Sequence, residues 1–247
     1  RELGGAAAGG AEAPLTPRRL ATVVPSQQTA MRLVVCGTDT DVGKTVVSAL
    51  LVQGLDARYW KPVQSGSDGS DTGTVQQLLA LPPERVVPEA YRLRLPASPH
   101  WAAERDGVRI ETGRLALPSG DDALVVETAG GLLVPLRRDW LQIDQLHHWN
   151  LPVVLVARSG LGTLNHTLLS VEALERRRIP VLGLVLNGPI HPDNPRTLEA
   201  LTGAPVLAEL PPLEPLTEDG LAQQWQRLGL AERLRERLLT FTHQGHG

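Results

Sequence analysis

Two kinds of hydrophobic pattern alternate along this chain from residue 31 onwards. Short continuous apolar runs are typical of buried parallel strands, and they fall at 33–36, 59–63, 123–127, 153–157, 181–186 and 206–210. Between and after them, apolar residues recur at helical spacing, which predicts helices at 44–55, 71–81, 112–117, 140–149, 164–177, 196–201 and 221–239. This alternation predicts an α/β fold with a doubly wound, mostly parallel sheet that carries helices on both faces.

The first predicted strand leads into a polar loop, Gly-Thr-Asp-Thr-Asp-Val-Gly-Lys-Thr at 37–45. Strand, loop and helix N-terminus in this order predict a phosphate-binding loop (P-loop), because backbone N–H groups and the helix dipole favour an anion there. Lys44 adds a positive charge for the terminal phosphates, and the Thr45 hydroxyl can ligate Mg²⁺. The spacing departs from the usual P-loop pattern, since Thr38 stands at the first glycine position and Gly37 precedes it.

Ligands of such sheets bind at the carboxyl ends of the strands, so the residues after each apolar run are the candidate site. Lys61 is costly to bury unless it pairs with an anion; the alternative is an edge-strand lysine whose ammonium reaches solvent. Ser65 and Gly66 follow in a turn suited to close approach of a ligand. Asp71 is a candidate Mg²⁺ ligand, or simply a capping or first-turn carboxylate of the next helix.

Glu127 ends the third apolar run, where P-loop enzymes place the carboxylate that organises Mg²⁺. The alternative is a strand-end glutamate that faces solvent. Gly130 and Gly131 follow, and they favour the first interpretation because such a pair lets the backbone approach a ligand closely. Asn187 and Pro211 end the fifth and sixth runs. The first interpretation of each is a turn residue, and the second is a group that contacts the nucleotide base.

The composition narrows the class of partner. A net charge of −3 and a pI near 6.2 give no electrostatic reason to expect nucleic acid or an anionic membrane. The single cysteine, Cys36, excludes an intrachain disulfide and indicates a reducing compartment, for which we expect the cytoplasm. No apolar run approaches the length that a bilayer-spanning helix requires.

Residues 1–30 differ from the rest of the chain. They open with a glycine- and alanine-rich stretch, and prolines follow at 14, 17 and 25. The only methionine, Met31, directly precedes the first predicted strand. We expect residues 1–30 to be a disordered extension, either from upstream or a remnant of cloning, and residues 31–247 to form a single α/β domain.

Several motifs follow the P-loop in a fixed order. They are Lys-Pro-Val-Gln-Ser-Gly at 61–66, Ser-Asp at 70–71, Ser-Pro-His at 98–100, Glu-Thr-Ala-Gly-Gly at 127–131, Leu-Gly-Thr-Leu-Asn-His-Thr at 161–167 and Asn187. In combination with the loop at 37–45, they resemble the ATP-dependent dethiobiotin synthetases. One departure is Thr128, where that family usually has glycine, because a Cβ there could crowd the metal loop or demand a different backbone conformation.

The resemblance implies ATP and Mg²⁺ as cofactors, with 7,8-diaminononanoate and CO₂ or bicarbonate as substrates. The family forms a carbamate on one amine, transfers the γ-phosphoryl group to it, and closes the ureido ring of dethiobiotin with the second amine. Its members are homodimers in which the aliphatic tail of the substrate reaches the partner chain. The loop at 161–165 of the partner subunit, with Asn165 at the helix entry, is therefore a candidate binding site for the tail carboxylate.

The resemblance also implies roles for individual residues. The catalytic residues would be Lys61, Lys44, Thr40 and Ser65. The nucleotide would contact Asp41, Val42, Gly43, Lys44, Thr45, Val46, Asn187 and Pro211. The Mg²⁺ ligands would be Thr45, Asp71 and Glu127. The substrate would contact Thr40, Lys61, Ser65, Gly130, Gly131, Leu161 and Asn165, the last two from the partner subunit.

Two other functions are compatible with a P-loop. A partitioning-type switch ATPase would act on DNA or a membrane and usually carries an extra lysine near the start of its loop, where Thr38 stands here. An ATP-dependent amide ligase of the same superfamily would usually need a glutaminase domain with a reactive cysteine. Cys36 is badly placed for that role, because it lies in a predicted buried strand.

Overall fold

The computed structural model describes residues 30–67 and 69–244, with the side chains of 241–244 excepted. The expected extension at 1–30 therefore lies outside the described residues, apart from its last position. The strands are β1 Arg32–Gly37, β2 Arg58–Trp60, β3 Val63–Ser65, β4 Val86–Val87, β5 Tyr91–Leu93, β6 Leu124–Gly131, β7 Pro135–Arg137, β8 Trp140–Leu141, β9 Val153–Arg158, β10 Val181–Asn187 and β11 Val206–Leu210. The helices are α1 Lys44–Gly54, α2 Asp71–Leu78, α3 Pro99–Arg105, α4 Gln142–Trp149, α5 Thr163–Arg176, α6 Asn194–Thr202, α7 Glu218–Leu228 and α8 Leu230–Gln244, with 3-10 turns at Pro83–Arg85 and Thr112–Leu115.

Seven strands form one sheet in the order β11-β10-β9-β1-β6-β2-β4, and every neighbouring pair is parallel. Both faces are buried, because alternate residues of β1 enter different cores: Val34 joins one cluster and Val35 joins the other. The predicted doubly wound α/β fold is thus confirmed. The strand order reverses beside β1, so the loop after β1 lies at a switch point, where such sheets bind ligands.

The predicted strand at 59–63 is wrong as one element. β2 belongs to the main sheet, whereas β3 pairs with β5 in a separate two-stranded sheet. Lys61 and Pro62 lie between β2 and β3 and outside both strands. Pro62 lacks the N–H that a continuing ladder would require, which explains the break. The break leaves Lys61 at the carboxyl end of β2, where ligands of this fold bind.

Other boundaries also differ from the prediction. The sequence pattern missed α3 and the short strands β4, β5, β7 and β8. The helix expected from residue 140 begins at Gln142, because Trp140–Leu141 forms a hairpin with β7. The stretch expected as one helix at 221–239 is two helices separated by Gly229, whose φ of 59° ends α7 in the left-handed conformation.

Among the described residues, none of the helices has the length and apolar character required to cross a membrane.

Candidate active site

The loop after β1 ends at Gly43, which precedes α1 with φ 94° and ψ 23°. No side chain caps α1, so the first backbone N–H groups of the helix remain available to an anion. Lys44 is buried, and its Nζ donates a hydrogen bond to the carbonyl oxygen of Asp39 at 2.8 Å. The lysine thus folds back over the loop, as a cation that serves bound phosphates would.

Asn187, at the end of β10, holds the loop from the side. Its Nδ2 donates to the carbonyl oxygen of Val42 at 3.1 Å. A Cβ on Gly43 would lie 2.1 Å from that Nδ2 atom, so no larger residue fits there without displacing Asn187. Close packing and the left-handed φ both require glycine at this position.

Four of the predicted site residues converge beside the loop. The Thr45 hydroxyl lies 3.0 Å from Asp71 Oδ1 and 3.0 Å from Glu127 Oε1. Lys61 Nζ lies 3.0 Å from the same Glu127 oxygen and also forms an ion pair with Asp71 Oδ2. Four elements therefore bring two carboxylates, a hydroxyl and an ammonium into one small volume: the start of α1, the end of β2, the start of α2 and the middle of β6.

The electrostatics of this group are strongly coupled. Burial alone would lower the pKa of Lys61, but the Glu127 and Asp71 carboxylates outweigh it and raise that pKa. Burial would raise the pKa of Asp71, whereas the Lys61 ammonium and the Thr45 hydroxyl hold it below its ordinary value. The pKa of Lys44 is lowered by burial and by the charge of Lys61. Lys44 and Lys61 are the only lysines of the sequence, and both are in this site.

Burial and hydrogen bonding bear on the alternatives that the sequence left open for Lys61, Glu127 and Asp71. Lys61 is 5% exposed, and β2, which it follows, is an interior strand between β6 and β4. Glu127 is 1% exposed, so it does not face solvent. Ser70 caps α2 by accepting the N–H of Gly73 at 2.9 Å, so Asp71 is not the cap. Asp71 is a first-turn carboxylate of α2, and its side chain contacts Thr45 and Lys61.

This donor set suits Mg²⁺. Hard divalent ions take oxygen ligands, and Mg²⁺ in nucleotide sites uses one or two carboxylates besides phosphate oxygens and water. Thr45, Asp71 and Glu127 supply three such oxygens within one hydrogen-bonded group. No group of three or more His, Cys, Asp or Glu side chains with metal-binding geometry occurs within residues 30–67 and 69–244.

Some of the residues expected on the substrate side lie close to the loop after β1. A side chain on Gly130 would approach Thr40 Oγ1 to 3.6 Å, and one on Gly131 would lie 3.4 Å from the carbonyl oxygen of Thr38. Ser65 ends β3 and its buried Oγ has no hydrogen-bond partner among the described residues. Thr128 keeps a negative φ and is buried, so its Cβ demands no unusual backbone.

A cavity of about 430 Å³ lies at the switch point beside the loop. Residues from the loop and from the ends of β9 and β10 line it, including Thr38, Arg158, Leu161, Thr163 and Asn187. Arg158 reaches towards the loop, with its Nη2 3.4 Å from Asp39 Oδ2. The Leu161 side chain is fully exposed at this place.

The remaining predicted residues lie around this centre. Asp41 is exposed with φ 55°, Val46 is half-buried in the first turn of α1, Pro211 directly follows β11, and Asn165 is exposed in the first turn of α5. One neighbour was missed by the sequence reasoning: the Tyr59 hydroxyl donates to Glu127 Oε2 at 2.9 Å. The available signal was spacing, because Tyr59 stands two positions before Lys61 and residues two apart in an extended chain share a face.

The parallel sheet, the P-loop and the magnesium-type donor set together define a nucleotide-binding protein of the P-loop NTPase class. Comparison with known proteins agrees: residues 31–219 match the family described as AAA domain. Among solved structures, the cell division ATPase MinD of Pyrococcus furiosus is similar, with a TM-score of 0.53 at 16% identity. That match covers 86% of this chain and 99% of MinD, and it is a likeness of fold alone.

Sequence relatives identify the family. The chain is 53% identical to the ATP-dependent dethiobiotin synthetase BioD of Afipia carboxidovorans over 192 residues, which are 77% of this chain and 91% of that protein. It is 55% identical to the dethiobiotin synthetase of Rhodopseudomonas palustris strain BisB18 over 186 residues, 75% of this chain and 89% of the relative. The chain belongs to the ATP-dependent dethiobiotin synthetase family, and the resemblance drawn from its motifs is confirmed.

Proposed function

We propose that this chain is an ATP- and Mg²⁺-dependent dethiobiotin synthetase that joins CO₂ to 7,8-diaminononanoate. One amine adds to CO₂ and loses a proton, which gives a carbamate. A carbamate oxygen then attacks the γ-phosphorus of ATP and expels ADP, forming a carbamic-phosphoric anhydride. The second amine attacks the carbamoyl carbon, loses a proton and expels phosphate, so that the ureido ring closes.

The observation that carries this proposal is the second buried lysine. A P-loop needs only Lys44 to hold phosphates, yet a second lysine, Lys61, forms ion pairs with Asp71 and Glu127 beside the loop. Transfer of a phosphoryl group to a carbamate brings two anions together, and this needs positive charge from more than one group. A protein that only bound or hydrolysed ATP would have less use for Lys61. In our proposal, Lys44 serves the phosphates, and Lys61 serves the carbamate and the transferring phosphoryl group.

Thr45, Asp71 and Glu127 would hold Mg²⁺, supported by the convergence of their oxygens. When bound, this ion neutralises charge on the β- and γ-phosphate oxygens. The Lys61 ammonium contacts Glu127 Oε1, which Thr45 also contacts, and Asp71 Oδ2, whereas Thr45 contacts Asp71 Oδ1, so the ammonium offsets the charge of both carboxylates.

The substrate and the base of the nucleotide would lie on opposite sides of the loop. We assign the diamine end to Thr40, Ser65, Gly130 and Gly131, supported by the close approach of Gly130 to Thr40. We assign the adenine to Asn187 and Pro211. Support for the adenine side is the hydrogen bond from Asn187 to the loop, together with the end of β11 beside the end of β10. The loop itself, residues 41–46, would surround the phosphates.

An assay of phosphate release tests the proposed reaction. We expect release to require both 7,8-diaminononanoate and bicarbonate, and mass spectrometry to detect dethiobiotin in equal amount. Omission of either substrate is the control. Release that ignores the diamine would overturn the proposal, and stimulation by DNA or lipid vesicles instead would favour a switch ATPase.

We also propose that the active enzyme is a homodimer in which Leu161 and Asn165 receive the tail carboxylate of the substrate in the partner's site. Support comes from the uncapped N-terminus of α5, which favours an anion. Two large apolar side chains are exposed on this part of the chain, Leu161 before α5 and Leu169 within it. Covering them with a partner chain would remove apolar surface from water.

Mixing two inactive variants tests the shared site. Lys61→Met removes the catalytic cation, and Asn165→Asp places a negative charge against the tail carboxylate. In a mixed dimer one site carries both changes and the other carries neither. After co-refolding of equal amounts, we expect about a quarter of the parental activity, since half of the dimers are mixed and each has one intact site. No recovery in dimers shown to have mixed would contradict a shared site.

A further inference from the structure

The hydroxyl of Tyr59 lies against the carboxylate of Glu127. Tyr59 is in β2, and both residues are almost completely buried. The two carboxylate oxygens have different partners: Oε2 accepts from the Tyr59 hydroxyl at 2.9 Å, whereas Oε1 faces Thr45 Oγ1 and Lys61 Nζ, each at 3.0 Å. The division leaves one oxygen towards the site and one towards the core.

Packing alone does not require this hydroxyl. The tyrosine ring belongs to the apolar cluster between the sheet and α1, where a phenylalanine would fill almost the same volume. A buried hydroxyl is costly without a partner, so its presence in such a cluster needs a specific acceptor. The carboxylate of Glu127 is that acceptor, since the Tyr59 hydroxyl donates to its Oε2.

We propose that Tyr59 is a positioning residue that holds Glu127 with Oε1 turned towards Thr45 and Lys61, the side from which Glu127 would hold Mg²⁺. A carboxylate with one anchored oxygen cannot rotate its second oxygen away from the metal. Outer-shell partners of this kind commonly change metal affinity when they are removed. The inference rests on the proposed function only in taking Glu127 as a metal ligand.

The test replaces Tyr59 by phenylalanine and measures metal binding directly, with Mn²⁺ as the probe. Free Mn²⁺ is followed by electron paramagnetic resonance during titration of the protein with saturating ADP and no diamine. We expect Tyr59→Phe to bind Mn²⁺ about 10- to 100-fold more weakly, with an unchanged affinity for ADP measured without metal. The titration contains no diamine, so the Mn²⁺ affinity can be interpreted even if the protein does not catalyse the dethiobiotin reaction.

Tyr91 provides a matched control, since it is the only other tyrosine of the sequence. It is also buried, and its hydroxyl accepts the N–H of Glu111 at 2.7 Å, a contact that does not involve Glu127. Tyr91→Phe deletes the same atom from a comparable environment. We expect it to keep the parental Mn²⁺ affinity even if its thermal stability falls.

A double-mutant cycle with Glu127→Gln separates positioning from a general structural effect. If Tyr59 acts through Glu127, Tyr59→Phe has little further effect on Mn²⁺ affinity once Glu127 is glutamine. Additive losses in the cycle would overturn the proposal. So would a parental Mn²⁺ affinity in Tyr59→Phe, whatever its stability.

Discussion

Lys61→Met should lose turnover almost completely while it still binds ATP. We expect kcat to fall about 100- to 1000-fold, the range seen when one preorganised group that stabilises developing charge is removed. Lys61 is the cation assigned to the carbamate, whereas the loop that surrounds the phosphates keeps all of its own groups. The dissociation constant for a fluorescent ADP analogue should therefore change only a few-fold.

The matched variant is Lys44→Met, because Lys44 is the only other lysine and also lies in the site. We expect Lys44→Met to lose nucleotide affinity as well as turnover, unlike Lys61→Met, because Lys44 folds over the phosphate loop. Single-turnover phosphate release and equilibrium nucleotide binding distinguish the two outcomes. If Lys61→Met lost nucleotide binding and turnover equally, Lys61 would be a nucleotide-binding residue and would have no separate role in phosphoryl transfer.

The fold was predictable from the sequence because its main strands are buried on both faces. Each of β1, β6, β9, β10 and β11 contains a mainly apolar run, and most of the helices between them are long enough to show their period. The short strands β4, β5, β7 and β8 could not be found in this way. Two or three residues are too few to establish a period, and pairing partners distant in the chain determine such strands.

The break after β2 shows that hydrophobicity alone does not predict where a strand ends. Hydrophobicity carries the run through 59–63, and only the missing N–H of Pro62 indicates that the ladder stops. That detail matters for function, since it places Lys61 at a strand end instead of inside the sheet. The sequence identified Lys61 as unusual because a lysine in an apolar run needs an anionic partner. It could not identify Glu127 and Asp71 as that partner pair, because they are 66 and 10 residues away along the chain.

Glu127→Gln should damage both the metal site and the folded state. The amide nitrogen cannot accept a hydrogen bond, so one of the donors that now face the carboxylate loses its acceptor, either Tyr59 or the pair Thr45 and Lys61. Breaking a buried ion pair by removing one partner costs about 3–5 kcal/mol, and we expect the lower end because Lys61 keeps Asp71. The loss of one metal carboxylate should also move half-maximal activation to a higher Mg²⁺ concentration and reduce kcat.

Urea unfolding in EDTA and Mg²⁺ titration of turnover measure the two effects separately. The control is Glu104→Gln, which makes the same chemical change in an exposed pair with Arg138 and should leave both the urea midpoint and the Mg²⁺ response near parental values. If Glu127→Gln instead turned over at the parental rate with the parental Mg²⁺ requirement, Glu127 would not be a metal ligand. If only its stability fell, the carboxylate would serve to neutralise Lys61, and the metal would have to rely on Thr45 and Asp71 among the residues of this cluster.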